Sequence, residues 1–361
     1  MKVAIGTRVQ EGPWGGGNQF AVSLSAHLAR QGHDVGFALD RNDLDVVLLT
    51  EPRRTSATSA FNDVDIWTYL IRVNSQAIVV HRINECDERK GTRWVNRRLA
   101  LANRCADHTV FISSWLRDLF SGHGHTVADA SVILNGAERS VFHPADELAW
   151  DGRGKLKVVT HHWGDHWNKG FDVYGRFDAL LGRDEFRDRF AFTYVGRVPP
   201  GFTFRHATVV PPLSGPALGD ELRRHHAYLT ASVNEPAGMH HIEGALCGLP
   251  LLYRRSGALP EYCDGFGLAF DERTFEPRLF DVRDGFAALK ASMPAYPRDA
   301  GRMCRAYEAL CQELLADRRR IVGNRRWSTI QARRNRAAGQ VFDALMRIKT
   351  RGTRFVRGAR R

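Results

Sequence analysis

The chain has 361 residues, of which 43% are hydrophobic and 25% charged, with 33 Gly and 14 Pro; at about 150 residues per domain this suggests two domains and excludes a disordered, collagenous or coiled-coil protein. Lys and Arg number 52 against 40 acidic residues, a formal charge of +12; the excess crowds into Arg318–Arg336 and the tail from Arg347, a cluster that suits a phosphate-rich partner such as anionic lipid, nucleic acid or a nucleotide, or simply a solvated basic tail. No apolar run approaches the roughly 20 residues of a membrane span. Six scattered cysteines without a C-x-x-C pair speak against a disulfide scaffold or a zinc site, so a reducing cytoplasm is the expected location.

The start, Met1 to Arg8, is too short in apolar residues for a secretory signal and reads as a first strand over 2–5. A glycine-rich loop (Glu11 to Gly17) follows, then a helix expected to be capped by Asn18, with Phe20, Leu24 and Leu28 on one stripe and Gly32 as its stop. Apolar strands are expected at 35–39, 46–49, 78–80, 110–112 and 132–134, with helices over 94–104 and 115–120. Continuous apolar strands alternating with helices imply a parallel sheet covered on both faces. The polar run from His81 to Lys90 follows the strand at 78–80, and ligands of doubly wound sheets sit beyond the carboxyl ends of strands. The pattern breaks near Asn135-Gly136, and a linker is expected over 145–154. A second alternating set then runs through 156–160, 192–195, 208–210, 228–230 and 251–253, after which the composition is mostly helical.

Asn234-Glu235-Pro236-Ala237-Gly238 leads into Met239, Ile242 and Leu246 at helical spacing, so a helix is expected to start at Pro236 and end before Gly248. Glu235 and Glu243 would then stand roughly 12 Å apart at about 1.5 Å per residue, close to the span of a sugar diphosphate. Two glutamates merely facing water would show the same spacing.

The pattern of a glutamate, seven residues, a second glutamate and Cys247-Gly248-Leu249-Pro250 resembles the donor-binding signature of family 4 glycosyltransferases. Four further segments are similar in the same order: Gly15-Gly16-Gly17-Asn18, Asn135-Gly136 with Phe142-His143-Pro144, Trp167-Asn168-Lys169-Gly170, and Val195-Gly196. The resemblance implies an α/β chain of GT-B type, with two doubly wound Rossmann-like domains facing each other across a cleft. The expected bounds are 1–145 for the first, 146–326 for the nucleotide-sugar-binding second, a helix over about 327–346 returning to the first, and a basic tail over 347–361.

It further implies a retaining, metal-independent enzyme. Such an enzyme moves a sugar from a UDP- or GDP-sugar to an acceptor hydroxyl in glycan, polysaccharide or lipopolysaccharide synthesis, with no other cofactor. Carried over by position, Glu235, Lys169 and His81 are the expected catalytic residues. Gly16, Gly17, Lys169, Ala237, Gly238, Met239 and Glu243 would bind the donor, with Lys169 on the diphosphate and Glu243 on the ribose hydroxyls. Asn84 and Glu85 would face the sugar or acceptor. The sequence departs from the family where many members carry an arginine shortly before the lysine. Trp163 and Gly164 stand there instead, with His161, His162 or His166 as substitute donors.

Asp43-Leu44-Asp45 and Asp63-Val64-Asp65 spell D-x-D, but turn chemistry accounts for both. Adjacent histidine pairs point apart and suit no single metal. The basic tail would rest on an anionic membrane carrying a lipid-linked acceptor, and no nucleic-acid partner is expected. Three rival readings remain: a sugar-nucleotide epimerase of the same fold, a basic nucleic-acid-binding protein, and a catalytically dead relative used as a partner subunit.

Overall fold

The computed structural model describes residues 1–12, 14–125, 127, 129–145, 150–325 and 327–358, with the side chains of 349–358 excepted. Part of the expected linker (146–149), Arg326 and the side chains of most of the basic tail therefore lie outside the described residues.

Twelve strands among the described residues form two six-stranded parallel sheets. The first, ordered β2-β1-β3-β4-β5-β6, contains β1 (Lys2–Ile5), β2 (Asp34–Gly36), β3 (Val46–Leu49), β4 (Ile78–Ile83), β5 (His108–Phe111) and β6 (Ala130–Val132). Its helices are α1 (Gly16–Arg30), α2 (Asp63–Arg72), α3 (Asp87–Lys90), α4 (Val95–Asn103) and α5 (Ser114–Gly122). The second, ordered β12-β11-β10-β7-β8-β9, contains β7 (Leu156–His162), β8 (Phe190–Gly196), β9 (Thr208–Val210), β10 (Ala227–Thr230), β11 (Leu251–Arg254) and β12 (Gly267–Phe270). Around it lie α6 (Phe171–Leu180), α7 (Asp184–Arg187), α8 (Gly215–Arg223), α9 (His240–Leu246), α10 (Leu259–Cys263), α11 (Phe275–Asp284) and α12 (Phe286–Ser292). The chain ends with α13 (Ala300–Ala316), α14 (Arg318–Gly323) and α15 (Thr329–Gly358).

Strands β3 and β4 are buried along their whole length, as central strands covered by helices must be. Met303, Cys304, Tyr307, Cys311 and Leu314 of α13 pack with Phe20, Leu24 and Leu28 of α1 in the core of the first sheet. The return to the first unit therefore begins at Ala300, earlier than the boundary expected at 326. The apolar stripe of α13 is buried against α1. α15 then packs on α2, where Ala332 and Asp343 are buried and Asp343 accepts from Asn62 Nδ2 at 3.1 Å.

The two D-x-D segments are structural. Asn62 caps α2 in a capping box with Asp65, and Asp63 pairs with Arg98 in the interior. Asp43 pairs with Lys2 and Arg41, while Asp45 accepts from the Lys2 amide at 2.8 Å. Among the described residues no His/Cys/Asp/Glu group is arranged to hold a metal ion.

The two units also share a core. Ile112, Leu116 and Phe120 from the first pack with Ile242, Leu249 and Tyr262 from the second. Tyr262 donates to the Ile112 carbonyl at 2.6 Å and accepts from the Asn135 amide at 2.8 Å.

Candidate functional site

Between the two sheets lies a cavity of about 390 Å³. Its walls are the glycine loop before α1, residues 89–90, the loops after β7, β8 and β9, and the segment 235–243. These are the carboxyl ends of parallel strands, where successive crossovers leave a crevice.

Lys169 is aimed by local geometry. Residues Trp167–Lys169 make one 3-10 turn, and Gly170 ends it with φ +104°. A Cβ at Gly170 would lie 2.5 Å from the Ala231 Cβ, so only glycine lets the turn dock on the end of β10. The Lys169 ammonium then reaches Glu235 at 2.8 Å.

Glu235 follows Asn234, the one non-glycine residue at positive φ (51°) among the described residues, a conformation asparagine tolerates. Its carboxylate also faces Arg89 Nε at 3.3 Å, across the cleft. Burial opposes ionisation of Glu235, but Lys169 and Arg89 outweigh it and hold the carboxyl well below its ordinary value. Burial, with Arg89 nearby, lowers the Lys169 ammonium from its ordinary value, and Glu235 offsets part of that.

Segment 236–239 is not helical. The expected helix starts only at His240 and runs seven residues. Pro236 suits a first helical turn, yet Asn135 Nδ2 takes the Ala237 carbonyl at 3.1 Å and holds the segment open. Ala237 consequently turns away from the cavity, while Gly238 and Met239 line it. At Gly16 a Cβ would come within 2.4 Å of the Met239 Cγ, so the glycine loop touches the second unit through a position that carries no side chain. Gly17 lies beside Asn84 and does not reach the cavity. Asn18 is no cap: Gly15 occupies that place. The Asn18 side chain instead accepts from the Gln10 amide at 2.8 Å and donates to the Gln10 carbonyl at 2.9 Å, pinning the loop.

Glu243 lines the far side and is anchored by a relay. The His161 amide donates to the Tyr228 hydroxyl at 3.1 Å, and that hydroxyl is hydrogen-bonded to His161 Nδ1 at 3.0 Å. On the other side of the ring, Nε2 is hydrogen-bonded to Glu243 at 2.7 Å. His162 meets the Tyr174 hydroxyl at 2.7 Å, and burial drives its pKa well below 6.5. It lines the cavity as a neutral group, and His166 lines it too, likewise lowered by burial.

His81 does not reach the site. It is fully buried on β4, bonded to Asn103 at 2.8 Å and pushed down to about 4 by burial. Alternation along the strand turns its ring toward α4. Asn84 and Glu85 also stop short of the cavity. Glu85 instead pairs with Arg89 at 3.0 Å and Lys90 at 3.1 Å, and those two cations do line it.

Three further features escaped the sequence reading. Arg89 and Lys90 belong to the polar run already singled out, but the pattern could not rank residues within it. Trp14 and Trp163 stack across the cleft at 5.4 Å, with Arg197 5.2 Å from the Trp163 ring; no local signal pairs residues so distant in sequence. Val195, Pro212, Leu213 and Leu218 add apolar side chains to the cavity lining.

A larger concavity of about 1170 Å³ lies under α13–α15. Its Asp107 is already paired with Arg325 at 2.8 Å, and none of the glycine or glutamate motifs reaches it.

Solved structures share the two-sheet fold. The sucrose-phosphate synthase of Thermosynechococcus elongatus matches 88% of this chain and 99% of its own, at TM-score 0.62 and 15% identity. The catalytic domain of starch synthase IV from Arabidopsis thaliana, bound to ADP and acarbose, matches 87% and 99% at TM-score 0.66 and 12% identity. Anabaena HepE in complex with UDP matches 87% and 100% at TM-score 0.64 and 14% identity. The chain has the GT-B fold. No protein-family model and no curated protein matches the sequence. At such low identity the GT-B likeness speaks for architecture, and function must be argued from the site.

Proposed function

We propose that this chain is a retaining, metal-independent glycosyltransferase that moves a sugar from a nucleoside diphosphate to an acceptor hydroxyl in glycan, polysaccharide or lipopolysaccharide synthesis. The observation that carries this is convergence. Lys169, Glu235, Gly238, Met239 and Glu243 open onto one cavity facing the Gly15-Gly16 loop, as the order of motifs requires. Among the GT-B relatives, HepE is described with UDP and glucose, and starch synthase IV with ADP, which supports a nucleotide-sugar donor here.

In the reaction, the bond between the sugar's anomeric carbon and the phosphate oxygen breaks, and its electron pair stays on the diphosphate. The acceptor oxygen bonds to that carbon, and its proton passes to the departing phosphate oxygen. Lys169 and the amides of Gly238 and Met239 stand where the negative charge grows, the kind of fixed donors worth about 3 kcal/mol each. Glu243, held by His161, takes the ribose hydroxyls. Glu235 meets the transferred sugar.

A thermal-shift panel with UDP, GDP, ADP and their sugars tests this. One series is expected to stabilise the protein, by about 2.7 kcal/mol at a hundredfold excess over Kd, and Lys169→Ala to abolish the effect. Full retention of the shift in Lys169→Ala contradicts the assignment.

The acceptor is proposed to be lipid-linked, with the protein resting on the cytoplasmic face of an anionic membrane. The exposed face of α15 supports this. Ile330, Val341, Leu345 and Ile348 are 60–70% exposed beside the exposed Arg333, Arg334 and Arg347. The only acidic residue of α15, Asp343, is turned inward. Apolar and basic side chains on one helix face favour a lipid surface over the purely charged groove of a nucleic acid.

A further inference from the structure

The cations around Glu235 come from both walls of the cleft, and they outnumber their local counter-charges. Lys169 stands on the second unit. Arg89 and Lys90 stand on α3 of the first, with Arg53 behind them paired to Glu51. Four cations thus meet the three carboxylates Glu51, Glu85 and Glu235. Burial presses the charge on both Lys169 and Lys90, lowering each ammonium from its ordinary value. Arg89 Nε lies 3.3 Å from Glu235, close enough for attraction, yet this buried atom makes no hydrogen bond. α3 is also seated directly against the second unit. Asn168 Nδ2 donates to the Arg89 carbonyl at 3.3 Å.

We propose that Arg89, with Lys90 beside it, is a diphosphate ligand supplied from the first unit, and that Glu235 occupies its place as an internal counter-anion until the donor arrives. This rests on the nucleotide-sugar reading and adds to it a role for the opposite wall. A diphosphate entering beside Lys169 brings anionic oxygens to the spot where Glu235 now bridges Lys169 and Arg89. The guanidinium fork, unsatisfied at Nε, can then take a phosphate oxygen with a directed hydrogen bond. Glu235, released from its two cations, is free for sugar hydroxyls. Donor charge would thereby draw both walls onto one ligand, so binding and alignment of the units become a single event.

Calorimetric titration with UDP, GDP, ADP and the matching monophosphates tests this on the wild type and on Arg89→Gln, Glu235→Gln and the double variant. The diphosphate that binds wild type is expected to bind Arg89→Gln at least tenfold more weakly, while the monophosphate changes less than twofold. Glu235→Gln is expected to bind that diphosphate several-fold more tightly, because the competing anion is gone. If Arg89 served only to position Glu235, its removal would have no effect once Glu235 is Gln; as a ligand, Arg89 retains its tenfold effect in the double variant. Arg89→Lys is expected to recover part of the affinity, and unligated unfolding temperatures report whether each variant folds. Wild-type diphosphate affinity in Arg89→Gln, together with loss of binding in Lys169→Ala, overturns this inference and leaves the donor reading standing. Failure of the wild type to bind any diphosphate overturns both.

Discussion

Lys169 shows what decides a functional position at the scale of a single residue. The lysine is useful because Gly170 beside it adopts φ +104° against Ala231. Gly170→Ala is therefore expected to lower stability by roughly 1–3 kcal/mol and to weaken diphosphate binding, although Lys169 itself is untouched. Chemical denaturation and titration of the same samples check both effects, and normal donor affinity in a destabilised Gly170→Ala would show that the turn does not aim the ammonium. Glu243 is a comparable case, since its carboxylate on α9 is set by His161 of β7, itself bonded to Tyr228 of β10. Chemical type and order of these residues were readable along the chain: Lys169, Glu235, Glu243, Gly16, Gly238 and Met239 all reach the cavity. His81, Asn84, Glu85, Gly17 and Ala237 do not. Each sits next to the right stretch, and only the pleat of β4 or a bond such as Asn135 to Ala237 decided which way it turned.

Among elements, α9 and α15 reward opposite kinds of reading. Apolar spacing placed a helix through 242–246 correctly, but the start four residues early could not be known. The Asn135 side chain that holds 236–239 open comes from the other unit, and a local propensity cannot register so distant a hydrogen bond. α15 satisfies its inward face on α2 while leaving Ile330, Val341, Leu345 and Ile348 in solvent. Replacing these four by Ser should leave the unfolding temperature within about 2 °C, since exposed positions change stability by about ±0.5 kcal/mol or less. Sedimentation with anionic vesicles at low salt should fall sharply in the same variant. Wild-type binding that is equal for neutral and anionic vesicles, or absent from both, would refute the membrane assignment.

For the molecule as a whole, the interior holds several histidines that burial keeps neutral. Burial lowers His81 and His226 to about 4, His241 to about 3, and His162 and His240 well below 6.5. In the unfolded chain each would protonate near 6.5. Their folded values are depressed, so the unfolded chain binds more protons in this range. Stability is therefore full above about pH 6.5 and is lost as pH falls toward 4 and 3. His241 has no hydrogen-bond partner on either ring nitrogen. His241→Leu should accordingly make the acid limb of the stability curve shallower, with little change at pH 8. An unaltered slope between pH 6 and pH 4, measured by urea unfolding, would rule out this contribution.

The alternation of apolar strands and helices, and the fixed order of Gly-rich loop, Lys-Gly and paired glutamates, belonged to the sequence alone. Strand period, glycine placement and residue chemistry are local properties, and they sufficed for two parallel sheets and for most of the second unit's lining of the cavity. Which unit α13 joins, which residues of 81–90 enter the cavity, and the meeting of Trp14 with Trp163 were settled only by tertiary structure. The seat of α13 on α1, the Arg89–Glu235 pair and the Trp14–Trp163 stack each depend on a partner more than a hundred residues away, through packing or ion pairs that have no signature until the chain has closed on itself.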